Sequence, residues 1–127
     1  MKIITTIIIS IFLLIGLIPT QSYCEEELDW WKINGFSEEE KILWSSNGFN
    51  AIVAREWKDN GFTPSSAKAY REKGFQPSEA NVWRNAVGNS SRANKWKKAG
   101  FTPADAKKWY HKGYSPDEAR QLIDLAK

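Results

Sequence analysis

Residues 57–75 read WKDNGFTPSSAKAYREKGF, and this stretch decides the fold. Thr63 is a natural N-cap, because its hydroxyl accepts from an orphan N–H at a helix start. Pro64 suits the first helical position, where no N–H is required. Gly74 stops the helix, since the residue after the C-cap takes a left-handed conformation that glycine adopts without strain. Phe75 then falls at C″ and Tyr70 at C3, the pair whose side chains meet in a Schellman turn. Phe75 is also N′ of the next segment, with Ala80 at N4, the positions of a hydrophobic staple. One aromatic closes one helix and opens the next.

The same grammar extends in both directions with a period of 13. Trp31, Trp44, Trp57, Tyr70, Trp83, Trp96 and Trp109 are evenly spaced without an insertion. Glycine stands four residues after an aromatic at Gly35, Gly48, Gly61, Gly74, Gly100 and Gly113, followed by Phe36, Phe49, Phe62, Phe75, Phe101 and Tyr114. Proline recurs at Pro64, Pro77, Pro103 and Pro116, and alanine at Ala54, Ala67, Ala80, Ala93, Ala106 and Ala119. A fixed tandem period marks a repeat architecture. The spacing predicts helices near 25–34, 38–47, 51–60, 64–73, 77–86, 90–99, 103–112 and 116–126. Capping boxes are expected at Ser37 with Glu40 and Ser115 with Glu118, and in weaker form at Gln76 with Glu79.

A helix of this length spans only about 15 Å and melts in isolation. Its alanine and its aromatic lie three residues apart on one face, which is buried only against neighbouring units. The expected fold is therefore all-α. It is a tandem array of about eight short helices, stacked as a small α-solenoid or a compact orthogonal α-bundle.

The pattern fails once. After Trp83, Val87 and Gly88 replace Gly-Phe, and Asn89-Ser90-Ser91 replaces Thr-Pro. One reading is a lesion patched by a shifted helix end. The other is a hinge or groove between helices five and six, flanked by Arg84 and Arg92, which a phenylalanine at position 88 would stiffen.

Residues 1–24 read as an export signal: Lys2, then an apolar run from Ile3 to Ile18, then Pro19 and a polar stretch. Ser22 and Cys24 suit positions −3 and −1 of a signal-peptidase site, placing the cut before Glu25, with a cut after Ser22 as the alternative. An uncleaved anchor is a rival, although the run is short for a membrane span. A lipid on Cys24 is another, although Tyr23 is bulky for such a site. Residues 25–127 then form one repeat domain, secreted or periplasmic. Cut after Cys24, it contains no cysteine and must be held together by packing alone.

Formal charge is +3 but divided: Glu25–Phe62 holds nine acids and four bases, whereas Thr63–Lys127 holds thirteen bases and six acids. Lys32, Lys58, Arg71, Arg84 and Lys97 share the slot after the aromatic. That slot lies in the last helical turn, where cations complement the dipole. In a stacked array it also forms a column. Arg84, Arg92, Lys95, Lys97, Lys98, Lys107, Lys108 and Lys112 form the densest basic stretch, broken only by Asp105. Within residues 25–127, Trp30 and Tyr110 are the aromatics outside the repeat slots, and exposed Trp and Tyr favour binding surfaces. Trp30 as an end cap and Tyr110 as ordinary packing are the structural alternatives.

No catalytic set is legible. His111 lies in a last helical turn, where it suits the dipole. The glycines are helix stops rather than a phosphate loop. Glu25–Glu27 and Glu38–Glu40 are read as solvated charges near helix starts rather than metal ligands, and no cofactor motif is found. The expectation is an exported, non-enzymatic binding or scaffold module for a protein or cell-envelope partner. The alternatives are a binder of lipopolysaccharide, teichoic acid or anionic lipid through the basic half, and a secreted effector or toxin with an unrecognised site. Membrane contact would come only from an uncleaved signal or that basic surface, and export argues against nucleic acid.

Overall fold

A computed structural model of the chain describes residues 27–127, so the export signal expected at 1–24 lies outside the described residues. Among these, eight helices follow one another without a strand: α1 Trp30–Ile33, α2 Glu38–Ser46, α3 Ala51–Asp59, α4 Pro64–Arg71, α5 Pro77–Val87, α6 Ser90–Lys98, α7 Pro103–His111 and α8 Pro116–Leu125. None is long and apolar enough to cross a membrane.

Six of the seven joints close as Schellman turns. The amide of the joint aromatic returns to the carbonyl of the slot aromatic: Phe36 to Trp31 at 3.0 Å, Phe49 to Trp44 at 3.2 Å, Phe62 to Trp57 at 3.0 Å, Phe75 to Tyr70 at 3.2 Å, Phe101 to Trp96 at 3.2 Å and Tyr114 to Trp109 at 3.1 Å. The intervening glycine carries the positive φ this geometry needs, as at Gly74, φ +83°. The two rings brought together lie edge to face, with centroids 4.9–5.4 Å apart at all six joints. Alanines 54, 67, 80, 93, 106 and 119 are fully buried at 0% exposure, which leaves no room beyond a methyl group. The main helix contacts run from each helix to the next or the next but one.

Two sequence expectations are corrected. The first helix is a single turn beginning at Trp30, not at residue 25. The Asp29 carboxylate accepts from the amides of Trp31 (3.0 Å) and Lys32 (3.4 Å), which fixes the start there. Gln76 makes no side-chain cap bond, and the Glu79 carboxylate, which a box would turn back to the Gln76 amide, meets Lys97 at 2.5 Å instead. The Ser37 and Ser115 boxes form, and Thr63 with Ser66 adds a third.

The irregular fifth joint is a shifted helix end, and it is packed. Helix α5 runs on to Val87, and Gly88 becomes its C-cap at φ +96°, ψ −109°. Val87 and Ser90 are buried. Arg92 Nη1 donates to the Val87 carbonyl at 2.7 Å, and the Tyr70 hydroxyl donates to the Gly88 carbonyl. Gly88 holds φ +96°, where any side chain is strained, and a Cβ there would also displace Arg92 Nη1 at 2.9 Å, so phenylalanine strains the joint rather than stiffening it.

Burial pushes the Tyr70 phenol above its ordinary 10.0, against the opposing charges of Arg84 and Arg92. The folded-state value exceeds the unfolded one, so this contribution is complete at neutral pH and is lost as pH climbs through the folded-state value.

Two outcomes are expected. No atom lies within 4 Å of a Cβ placed on Gly74, so Gly74→Ala isolates backbone strain. It should cost about 1–2 kcal/mol, and a thermal melt matching wild type would contradict the assigned turn. Tyr70→Phe should lose about 1–2 kcal/mol at neutral pH by stranding the Gly88 carbonyl. Above about pH 10 its melting temperature should fall less steeply than wild type, and parallel alkaline limbs would rule out a buried phenol.

Candidate functional site

The basic slot is built into the array. At four slots the cation after the slot aromatic reaches back over the joint ring two units earlier. Lys58 Nζ lies 4.9 Å above Phe36, the Arg71 guanidinium 4.0 Å above Phe49, the Arg84 guanidinium 4.2 Å above Phe62, and Lys97 Nζ 4.7 Å above Phe75. Arginine adds a fork of hydrogen bonds to the carbonyls that a helix end leaves open. Arg71 donates to Gly48 (2.8 Å) and Asn47 (2.9 Å), and Arg84 to Gly61 (2.8 Å) and Asn60 (2.9 Å). Lysine instead meets a carboxylate: Lys58 with Glu40 and Lys97 with Glu79, both at 2.5 Å. The Lys58 ammonium, aided by the Ser37 amide, holds the Glu40 carboxyl below its ordinary range.

Tyr110 occupies this slot in α7, where the ring beneath it is missing at Gly88. It is half-buried against the core, with the Arg92 guanidinium 4.7 Å from its centroid. In α8 the slot holds Ile123, and Arg120 covers Phe101 at 4.7 Å while donating to the Ala99 carbonyl. Arg84, Arg92 and Lys97 are thus engaged within the chain. Lys108 pairs with Asp105 at 3.8 Å. Lys95, Lys98, Lys107 and Lys112 are exposed and make no salt bridge among the described residues, although Lys112 approaches the Trp109 ring at 5.6 Å. His111 is exposed beside Tyr110. Of the acidic cluster, Glu38 and Glu40 face Lys41 and Lys58.

Trp30 has a different setting. Helix α1 presents it at 54% exposure, whereas Trp57 and Trp96 are 2% and 1% exposed. Trp30 lines a cleft of about 570 Å³ with Leu28, Trp31, Ile52, Glu27 and Asp29, closed by Lys41, Asn50 and Ala51. Leu28 and Ile52 are more than half exposed. The sequence reading missed both. The signal was present, since each is a large apolar residue off the buried alanine and aromatic slots.

No family model, curated protein or solved structure matches the chain.

Arg84→Met keeps much of the stem but removes the fork and the charge, and should cost about 2 kcal/mol. Arg84→Lys should fall between that variant and wild type. Lys98→Met should stay within about 0.5 kcal/mol of wild type. Urea midpoints decide the matter: equal losses at positions 84 and 98 would show that the stacked cation contributes nothing particular.

Proposed function

We propose that the protein is an exported, non-enzymatic binding module, an open solenoid of short helices that offers the α1 end to a protein partner. The neighbour pattern supports the open form, because each helix leans on the next two rather than on a shared centre. The observation that carries the binding assignment is the exposure of Leu28, Trp30 and Ile52 around one cleft, Trp30 being the most exposed aromatic among the described residues. Apolar clefts with a few polar groups at their edge are the usual form of a binding site, and exposed tryptophan is the side chain richest in interface energy.

A second reading rests on Lys95, Lys98, Lys107 and Lys112. These cations meet no carboxylate among the described residues, and they would serve an anionic envelope polymer or lipid surface. Salt separates the two, because exposed charges are screened within about 8 Å at physiological ionic strength. The purified protein, presented to native envelope and culture fluid, should retain its partner at physiological salt. Trp30→Ala should weaken that retention about tenfold or more. Replacing the four lysines with glutamine should leave it unchanged. Loss through the lysine variant and at raised salt, with Trp30→Ala neutral, would move the assignment to the anionic polymer.

A further inference from the structure

The polar groups around the Trp30 cleft divide into those already spent and those that are not. The Asp29 carboxylate caps α1 and meets Lys41 at 3.4 Å. Lys41 is shared between Asp29 and Glu38. Asn50 caps α3 by accepting from the Val53 amide at 2.9 Å. No side-chain polar atom among the described residues is buried without a partner, so no inward-aimed donor or acceptor waits for a small polar ligand. The unspent chemistry is apolar surface on Leu28, Trp30 and Ile52, the face of an indole, and the carboxylate of Glu27, which has no salt-bridge partner among the described residues.

An indole face and an unpaired carboxylate favour the same thing, a cation flanked by apolar groups. The residues that line the cleft agree, since they carry the carboxylates of Glu27 and Asp29 against the single ammonium of Lys41. Strand addition is unavailable, because the described residues contain no sheet edge. We infer that this cleft takes a basic amphipathic helix of a partner protein. Its leucine-like side chains would pack on Leu28, Trp30 and Ile52, and an arginine or lysine would lie over the Trp30 ring within reach of Glu27. The inference rests on the reading of the cleft as a protein-binding site and adds the chemistry of what binds.

The test uses the purified protein and two synthetic helical peptides. Both carry leucine at positions i, i+3, i+4 and i+7; the remaining positions are lysine and arginine in one and glutamate in the other. Binding is followed by calorimetry, with circular dichroism confirming that each variant is folded. The basic peptide should bind, and the acidic one should bind at least about tenfold more weakly. Trp30→Ala and Ile52→Ala should each weaken the basic peptide about tenfold, and Glu27→Lys should narrow the difference between the peptides. Equal or preferred binding of the acidic peptide, still dependent on Trp30, overturns the basic partner while leaving a protein-binding cleft. Binding of neither peptide overturns both. Sedimentation showing a dimer that Trp30→Ala converts to monomer assigns the cleft to a second copy and overturns the inference.

Discussion

The amide of each joint aromatic returns to the carbonyl of the slot aromatic five residues earlier, and the array depends on that bond. It requires a left-handed residue between them, which is why glycine recurs, and it brings two rings into edge-to-face contact. At 3.0–3.2 Å the bond repeats at six joints with almost no variation. Six of the seven helix-to-helix joints are therefore built alike. A repeated joint lets a one-dimensional stack of nine-residue helices such as α2, α3 and α6 share a continuous core. The rings form an unbroken chain from Trp31 to Trp83, with centroids no more than 6.4 Å apart.

A second device ties each unit to the next but one, and it has two chemical versions. Where the slot holds arginine, the fork satisfies open helix-end carbonyls, and the position 18 residues earlier, Val53 for Arg71 and Ser66 for Arg84, carries no charge. Where the slot holds lysine, a glutamate stands 18 residues earlier, at Glu40 for Lys58 and Glu79 for Lys97. A compact ammonium has no fork to share between carbonyls, so it needs a carboxylate; a guanidinium does not. The basic column thus has a structural cause beyond the helix dipole.

The helices, their stops and most of their caps were legible because each is decided within about five residues. The exceptions are local competitions. Asp29 starts α1 late because its carboxylate takes the first amides, and the Glu79 carboxylate meets Lys97 rather than closing a box on Gln76. What sequence spacing did not reveal was the direction of the cations. A column of lysine and arginine reads alike whether it faces solvent or lies on rings 22 residues back, and only packing decides. The fifth joint teaches the same lesson. Tyr70, Gly88, Arg92 and Tyr110 each depart from their own slot, and separately they look like drift. In space they meet: the hydroxyl of Tyr70 holds the carbonyl of Gly88, Arg92 holds that of Val87, and the ring of Tyr110 lies under Arg92. One lost phenylalanine has been compensated at three positions.

That compensation bears on where function sits. A hinge needs a joint with open space and unmet hydrogen bonds, because low local stability comes from few buried contacts. The fifth joint has the opposite character, with Val87 at 1% exposure and its carbonyl bonded. Its irregularity is therefore paid for internally and leaves nothing for a ligand. The Trp30 cleft differs in kind: its polar groups are mostly capped or paired, yet Leu28, Trp30 and Ile52 remain uncovered. Trp30 is the most exposed aromatic among the described residues, and it lines one cleft with Leu28, Ile52 and a Glu27 carboxylate that has no salt-bridge partner among them; that juxtaposition is the feature folding alone does not explain.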